Sequence, residues 1–179
     1  MRKIFFIIII LTVIILMFSF LNLKDQGALE TGDTIPAFTL MDQDGNNFDI
    51  EQYRGKQPLV IYFYPKDDTP GCRKEACSFR DEFEFFTDLN VRVIGISSDD
   101  VASHKEFAEK YQLPFTLLAD TDKKVRKLFG VPNSFLGLLP GRVTYIVNKH
   151  GIVVHIFNNM TNAEKHITES LKALKRSKE

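Results

Sequence analysis

Residues 59–64 read LVIYFY, six apolar or aromatic side chains in a row with no polar face to turn toward water. A strand of that kind must be covered on both sides, which excludes a single sheet open to solvent and demands a layered fold. Pro65 ends the run. Residues 72–89 then place Phe79, Phe83, Phe86 and Leu89 at helical spacing among charged residues, as an amphipathic helix does. The alternation continues: a strand over 91–97 (VRVIGIS), a helix over 103–112 with Ser103 and Glu106 as a capping box, and a short strand over 116–119. A helix over 122–129 is stopped by Gly130, and a main strand over 143–148 turns through Lys149-His150-Gly151 into 152–157. Ahead of these, 38–41 and 48–50 flank the turn signal Asp44-Gly45. At the end, Thr161 and Glu164 cap a helix carrying Ala163, Ile167, Leu171 and Leu174 inward. This order implies an α/β fold, a mixed central sheet with helices on both faces.

Residues 4–21 (IFFIIIILTVIILMFSFL) carry no charge, and Thr12 and Ser19 are their only polar members. At the helical rise they cover about 27 Å, close to the hydrocarbon thickness of a bilayer. No small-x-small cleavage site follows, so the expectation is an uncleaved signal anchor, one N-terminal transmembrane helix, rather than a removed leader. Arg2 and Lys3 keep the N-terminus inside and place the body on the extracytoplasmic face. The expected division is 1–24 as anchor, 25–35 as a polar tether and 36–179 as one domain. The chain balances 23 basic against 23 acidic residues, but Arg2, Lys3 and Lys24 all fall in the anchor, which leaves 20 bases against 23 acids in the body. A mildly acidic body does not suit nucleic acid.

The two cysteines, Cys72 and Cys77, are too few for a disulfide-rich scaffold or a four-thiolate zinc site. Cys72 follows the central strand and the turn Pro65-Lys66-Asp67-Asp68-Thr69-Pro70-Gly71, which sets it in the first turn of a helix. Unpaired backbone N–H groups and the positive end of the helix dipole stabilise a thiolate there. Gly71 lets a ligand approach the backbone, Thr69 can set its hydroxyl over the same pocket, and Pro65 and Pro70 fix the turn. A buried, inert cysteine is the plainer reading of the same position. His104, His150, His155 and His166 show no metal-ligand spacing and read as surface or satisfied core histidines. The acids at 81–84 read as a solvated helix face, and Phe135, Leu136, Leu138 and Leu139 ahead of Arg142 as core packing, with the lining of a hydrophobic peroxide site or a partner surface as the other readings.

The segment YPKDDTPGCRKEACSFRD resembles the active-site segment of peroxiredoxins, specifically the bacterioferritin comigratory protein or Q-type branch. Pro65, Thr69 and Cys72 match the family pattern Pro-x-x-x-Thr-x-x-Cys, and Cys77 matches the branch's second cysteine. GISSDDVASHKEFAEKYQLPFTLLAD from Gly95 and GRVTYIV from Gly141 agree in order, so the similarity spans about residues 30–175. The resemblance implies a thioredoxin-like fold and reduction of hydroperoxides, with Cys72 as peroxidatic residue, Cys77 as resolving residue and Arg142 as the family's distal arginine. Attack on an O–O bond needs a thiolate, which Arg142, Thr69 and the Cys72 amide would stabilise along with the charge growing on the leaving oxygen. The sulfenic acid then condenses with Cys77, and a thioredoxin-type protein reduces the disulfide. No metal, flavin or haem cofactor is required, and a monomer is expected. Two departures from the family stand out: the anchor, and Arg73 where Thr is usual. Two other classes use similar parts. A membrane-anchored thiol-disulfide oxidoreductase would want Cys-x-x-Cys, whereas four residues separate Cys72 from Cys77; a redox-sensing module would keep the fold without turnover.

Overall fold

The computed structural model describes residues 27–134, 137 and 139–176. The expected anchor lies outside these residues, as do Phe135, Leu136 and Leu138. Among the described residues no helix is long and apolar enough to cross a membrane.

In chain order the elements are β1 (Thr39–Asp42), β2 (Asn47–Asp49), β3 (Leu59–Phe63), α1 (Pro70–Asp81), α2 (Phe83–Asp88), β4 (Arg92–Ser97), α3 (Val101–Tyr111), β5 (Thr116–Ala119), α4 (Lys124–Leu128), β6 (Asn133–Ser134), β7 (Leu139–Pro140), β8 (Val143–Val147), β9 (Val153–Asn158) and α5 (Ala163–Arg176). Seven strands form one sheet in the order β2-β1-β5-β4-β3-β8-β9, and β6 pairs with β7 alone. The sheet is mixed, since β4 runs parallel to β3 and β5 while β8 is antiparallel to β3. Every residue of β3 is buried, which is what its unbroken apolar run demands. Leu59, Ile61 and Phe63 face one core with Val125, Phe129 and Tyr145. Val60 and Tyr62 face the other, under Phe79, Phe86, Phe107 and Ile167 from α1, α2, α3 and α5. Phe63, Phe79, Phe86 and Phe129 are all fully buried, each contributing on the order of 2–3 kcal/mol through the area removed from water.

Four local expectations are corrected. The single helix over 72–89 is two: it starts at Pro70, in the first-turn position that suits proline, and breaks at Glu82 (φ −100°, ψ 10°). The Glu82 amide is shared between the Ser78 and Arg80 carbonyls, a tightening that leaves the apolar phase on either side unchanged, so periodicity does not reveal it. The helix expected from Ser103 begins at Val101, because Asp100 is its cap and accepts from the Ser103 amide at 2.8 Å. Asn162, not Thr161, caps α5, accepting from the Lys165 amide at 3.2 Å, while the Thr161 hydroxyl turns back to Asn159. The expected tether is bound into the domain from Leu29 onward: Leu29 N–H donates to Phe129 O, Thr34 bridges to Ile152, and Ile35 is 2% exposed. The polar average of that segment conceals two apolar residues that find cover. Gly130 makes this packing possible, since it sits at φ +62° and a Cβ there would come within 2.2 Å of Ala28 Cα.

Candidate active site

At the end of β3, Tyr64 N–H still donates to Ile96 O across to β4, and Pro65 then turns the chain away. The turn is pinned by two consecutive acids. Asp67 is buried; its backbone N–H donates to Asp99, and its carboxylate accepts from Tyr64 OH at 2.7 Å and Ser103 Oγ at 2.8 Å and meets His104 Nδ1 at 2.8 Å. Asp68, in a left-handed conformation at φ 51°, accepts from Lys110 Nζ and Tyr111 OH at the far end of α3. These donors hold its carboxyl below the ordinary value. Both acids thus fasten the turn to α3, and α1 begins from a fixed point.

Cys72 is 1% exposed and stands in the first turn of α1, beside the amides that no helical carbonyl satisfies. Arg142 arrives from the opposite side at the start of β8, 2% exposed, and its Nη2 donates to Cys72 Sγ at 3.3 Å. It is therefore not a solvated strand-end charge. Gly71 makes room for it: a Cβ there would lie 3.1 Å from Arg142 Nη2. Arg142 Nη1 meets Glu75 Oε2, and Nε donates to Met160 O at 3.4 Å. Burial opposes the guanidinium charge, but Glu75 and Cys72 more than offset it, so the group is held above its ordinary value.

Of the other expected site residues, Cys77 is a half-buried free thiol further along the same helix. Pro65 is half-buried and ends the strand. Thr69 is placed differently: its hydroxyl donates to Lys66 O at 3.1 Å and makes no side-chain cap bond, instead of turning to Cys72. Arg73 points outward, 4.0 Å from Asp68. Among the described residues, no group of three His, Cys, Asp or Glu could hold a metal ion.

Two buried groups, Glu75 and Arg126, escape the sequence reading, and His166 is the satisfied core histidine that it allows. Glu75 sits three residues after Cys72 on the inward face of α1 that also carries Ala76 and Phe79; an acid on an apolar stripe was the available signal. His166 lies on the inward face of α5 beside Ile167, with Nδ1 2.7 Å from Thr144 Oγ1 and Nε2 2.8 Å from Asn159 O. Arg126 donates to Tyr64 O at 3.0 Å and Gly141 O at 3.1 Å, tying the strand end before Cys72 to the residue before Arg142. The arrangement presents a shielded sulfur to a cation and to free backbone donors, which suits a thiolate that attacks a small electrophile and leaves negative charge behind.

Residues 31–156 match the AhpC/TSA family. The chain is 54% identical over 148 residues to the chloroplastic peroxiredoxin Q of Oryza sativa subsp. japonica, spanning 83% of this chain and 68% of that relative. Among solved structures it is similar to peroxidoxin BcpB from Mycobacterium tuberculosis, with 33% identity and a TM-score of 0.76 over 83% of this chain and 97% of that one. It is also similar to the Xanthomonas campestris bacterioferritin comigratory protein, a structure concerned with alkyl peroxide reduction activity, with 29% identity and a TM-score of 0.73 over 86% and 99% of the two chains.

Proposed function

We propose, from the premise that this chain belongs to the AhpC/TSA family and is a thiol peroxidase of the peroxiredoxin Q branch, that Cys72 is its peroxidatic nucleophile and Cys77 its resolving thiol. The observation that carries the reading is the 3.3 Å contact of Arg142 with a buried Cys72 at a helix start. The Cys72 thiolate attacks the terminal oxygen of a hydroperoxide; the S–O bond forms as the O–O bond breaks, and the departing alkoxide or hydroxide takes a proton. Arg142 and the first-turn amides face both the initial thiolate and the charge that develops on the leaving oxygen. Thr69 and Pro65 shape the entrance, Thr69 by turning its hydroxyl from Lys66 O toward bound peroxide. Cys77 then attacks the sulfenic sulfur and expels water, and a thioredoxin-type reductant takes the disulfide back to two thiols. Hydrogen peroxide and organic hydroperoxides are the substrates.

The test is peroxide consumption with a thioredoxin-type donor. Cys72→Ser should abolish it, whereas Cys77→Ser should consume about one equivalent and stop at a trappable sulfenic acid. Normal turnover by Cys77→Ser would remove Cys77 from the cycle. For location, the unbroken run over 4–21 after Arg2 and Lys3 supports an anchor that carries the peroxidase domain on the extracytoplasmic face. The body should then resist extraction from membranes by alkaline carbonate and be digested by protease added outside; release of a chain starting near residue 25 would contradict it.

A further inference from the structure

Behind Arg142 lies a carboxyl group that the peroxidase cycle leaves unused. Glu75 is fully buried, and its two oxygens have different surroundings. Oε2 meets Arg142, whereas Oε1 has no hydrogen-bond partner among the described residues and stands 3.5 Å from His166 Nδ1. The protonation of that ring follows from its other contacts. Nε2 faces the carbonyl oxygen of Asn159, which can only accept, so Nε2 carries the proton and Nδ1 of the neutral ring is an acceptor. Thr144 OH donates to Nδ1, whose remaining neighbour is Glu75 Oε1. An ionised Glu75 would set a bare carboxylate oxygen against a lone pair in a fully buried site; a protonated one sets an O–H there. Besides Arg142 just ahead of β8 and His166 from α5, Tyr62 from β3 faces Glu75, and Cys72 on its own helix meets the same guanidinium.

We propose that Cys72 and Glu75 share a single negative charge about Arg142: while Cys72 is a thiolate, Glu75 holds a proton on Oε1 against His166, and it releases that proton when Cys72 is oxidised. This rests on Cys72 being the peroxide-reacting thiol. The geometry behind it is one buried cation offering Nη2 to the sulfur and Nη1 to the carboxyl group. With both partners ionised, the cluster would carry a net negative charge away from water. The ionisation directions agree, since burial pushes Glu75 up to about 8 against the pull of Arg142 and pushes His166 down to about 4. The chemistry balances: Cys72–S⁻, Glu75–COOH and ROOH become Cys72–SOH, Glu75–COO⁻ and ROH. The thiolate electron pair forms the S–O bond, the O–O bond breaks, the leaving oxygen takes a proton from solvent, and the proton that Glu75 gives up to solvent closes the count. Glu75 touches no peroxide; it is a positioning residue that sets how much of the Arg142 charge is free for the sulfur and the leaving oxygen.

Infrared difference spectroscopy on the full chain carrying Cys77→Ser, in which oxidation stops at the sulfenic acid, reads this charge exchange. One equivalent of hydrogen peroxide should bleach the carbonyl stretch of a protonated carboxyl group and raise a carboxylate band, and adding Glu75→Gln should remove both signals. Sulfenic acid trapping on the same samples separates the two claims. Oxidation of Cys72 with no carboxyl bleach overturns the charge sharing and leaves the peroxidase reading standing; failure of Cys72 to oxidise overturns both. A second readout is the pH dependence of the Cys72 oxidation rate, which should show an alkaline loss near pH 8 that Glu75→Gln abolishes. A purely structural role would slow oxidation equally at every pH, and that result would overturn the inference even with the variant fully folded.

Discussion

Arg142 and Arg126 are both buried, yet only Arg142 reaches the sulfur; Arg126 is committed to the carbonyls of Tyr64 and Gly141. Their substitutions should therefore fail in different ways. Arg142→Ala should slow the peroxide step by about 10²–10³-fold with disulfide reduction unchanged, the scale of losing a charged donor at a developing anion. Arg142→Lys keeps the charge but cannot present two N–H groups to Cys72 and Glu75 at once, so it should recover little. Rapid-mixing rates of Cys72 oxidation measured apart from recycling decide this, and an unchanged rate in the Ala variant would remove Arg142 from the site. Arg126→Ala should instead lower stability by about 2–4 kcal/mol in urea unfolding, since it strands two buried carbonyl oxygens. Gly71→Ala lies between these. Its Cβ would press on Arg142 Nη2 from 3.1 Å, so the peroxide step should suffer while the helix itself gains slightly from alanine.

Helix α1 carries both thiols, and its regularity conflicts with the bond they must form. Five residues along an α-helix span a rise of about 7.5 Å and a rotation of roughly 140°, giving a Cα separation of about 8–9 Å. A disulfide usually needs less than about 7 Å, so Cys72 and Cys77 can join only if the first turn or two unwinds. The anchors of the turn mark where the change ends: Asp67 and Asp68 are held by α3, and Phe79 and Phe86 are locked in the core. Hydrogen exchange should show protection lost over 72–78 on oxidation and retained from Phe83 onward; equal protection in both states, with the disulfide proven, would sink this account. The same helix shows what was legible in the sequence and what was not. Its existence and its cysteine-bearing first turn follow from the strand, the prolines and the apolar spacing, which are local. Its break at Glu82 leaves that spacing intact, and the partners of Glu75, namely Arg142 and His166, come from residues 67 and 91 positions away, where no local pattern reaches. The hydroxyl of Thr69 is placed over the thiol by its spacing and by the motif, and the structure turns it to Lys66. The caps at Asp100 and Asn162 are not legible in the sequence because several Asp, Ser, Asn and Thr residues compete for each helix start.

At the scale of the whole molecule, the two buried groups that face each other behind Arg142 pull stability in opposite directions with pH. Glu75 has its ionisation raised by burial from 4.5 to about 8. Between those values the folded chain keeps a proton that the unfolded chain has lost, so its contribution is complete below pH 4.5 and falls as pH rises through 8. His166 is lowered by burial from 6.5 to about 4. Over that interval the unfolded chain holds a proton that the folded chain refuses, so its contribution is complete above pH 6.5 and is lost as pH falls through 4. From 4.5 to 6.5 the two slopes cancel, and from 6.5 to 8 only the Glu75 slope remains. Tyr145, pushed by burial up to about 12, titrates well outside that interval. At most about 1.4 kcal/mol per pH unit is available from one proton, so the loss between pH 6.5 and 8 should be on the order of 1–2 kcal/mol. Urea unfolding of the reduced chain should show this decline, and Glu75→Gln should flatten it. Parallel curves for the two proteins would mean that Glu75 stays ionised in the fold, with Arg142 alone neutralising it and His166 playing no part.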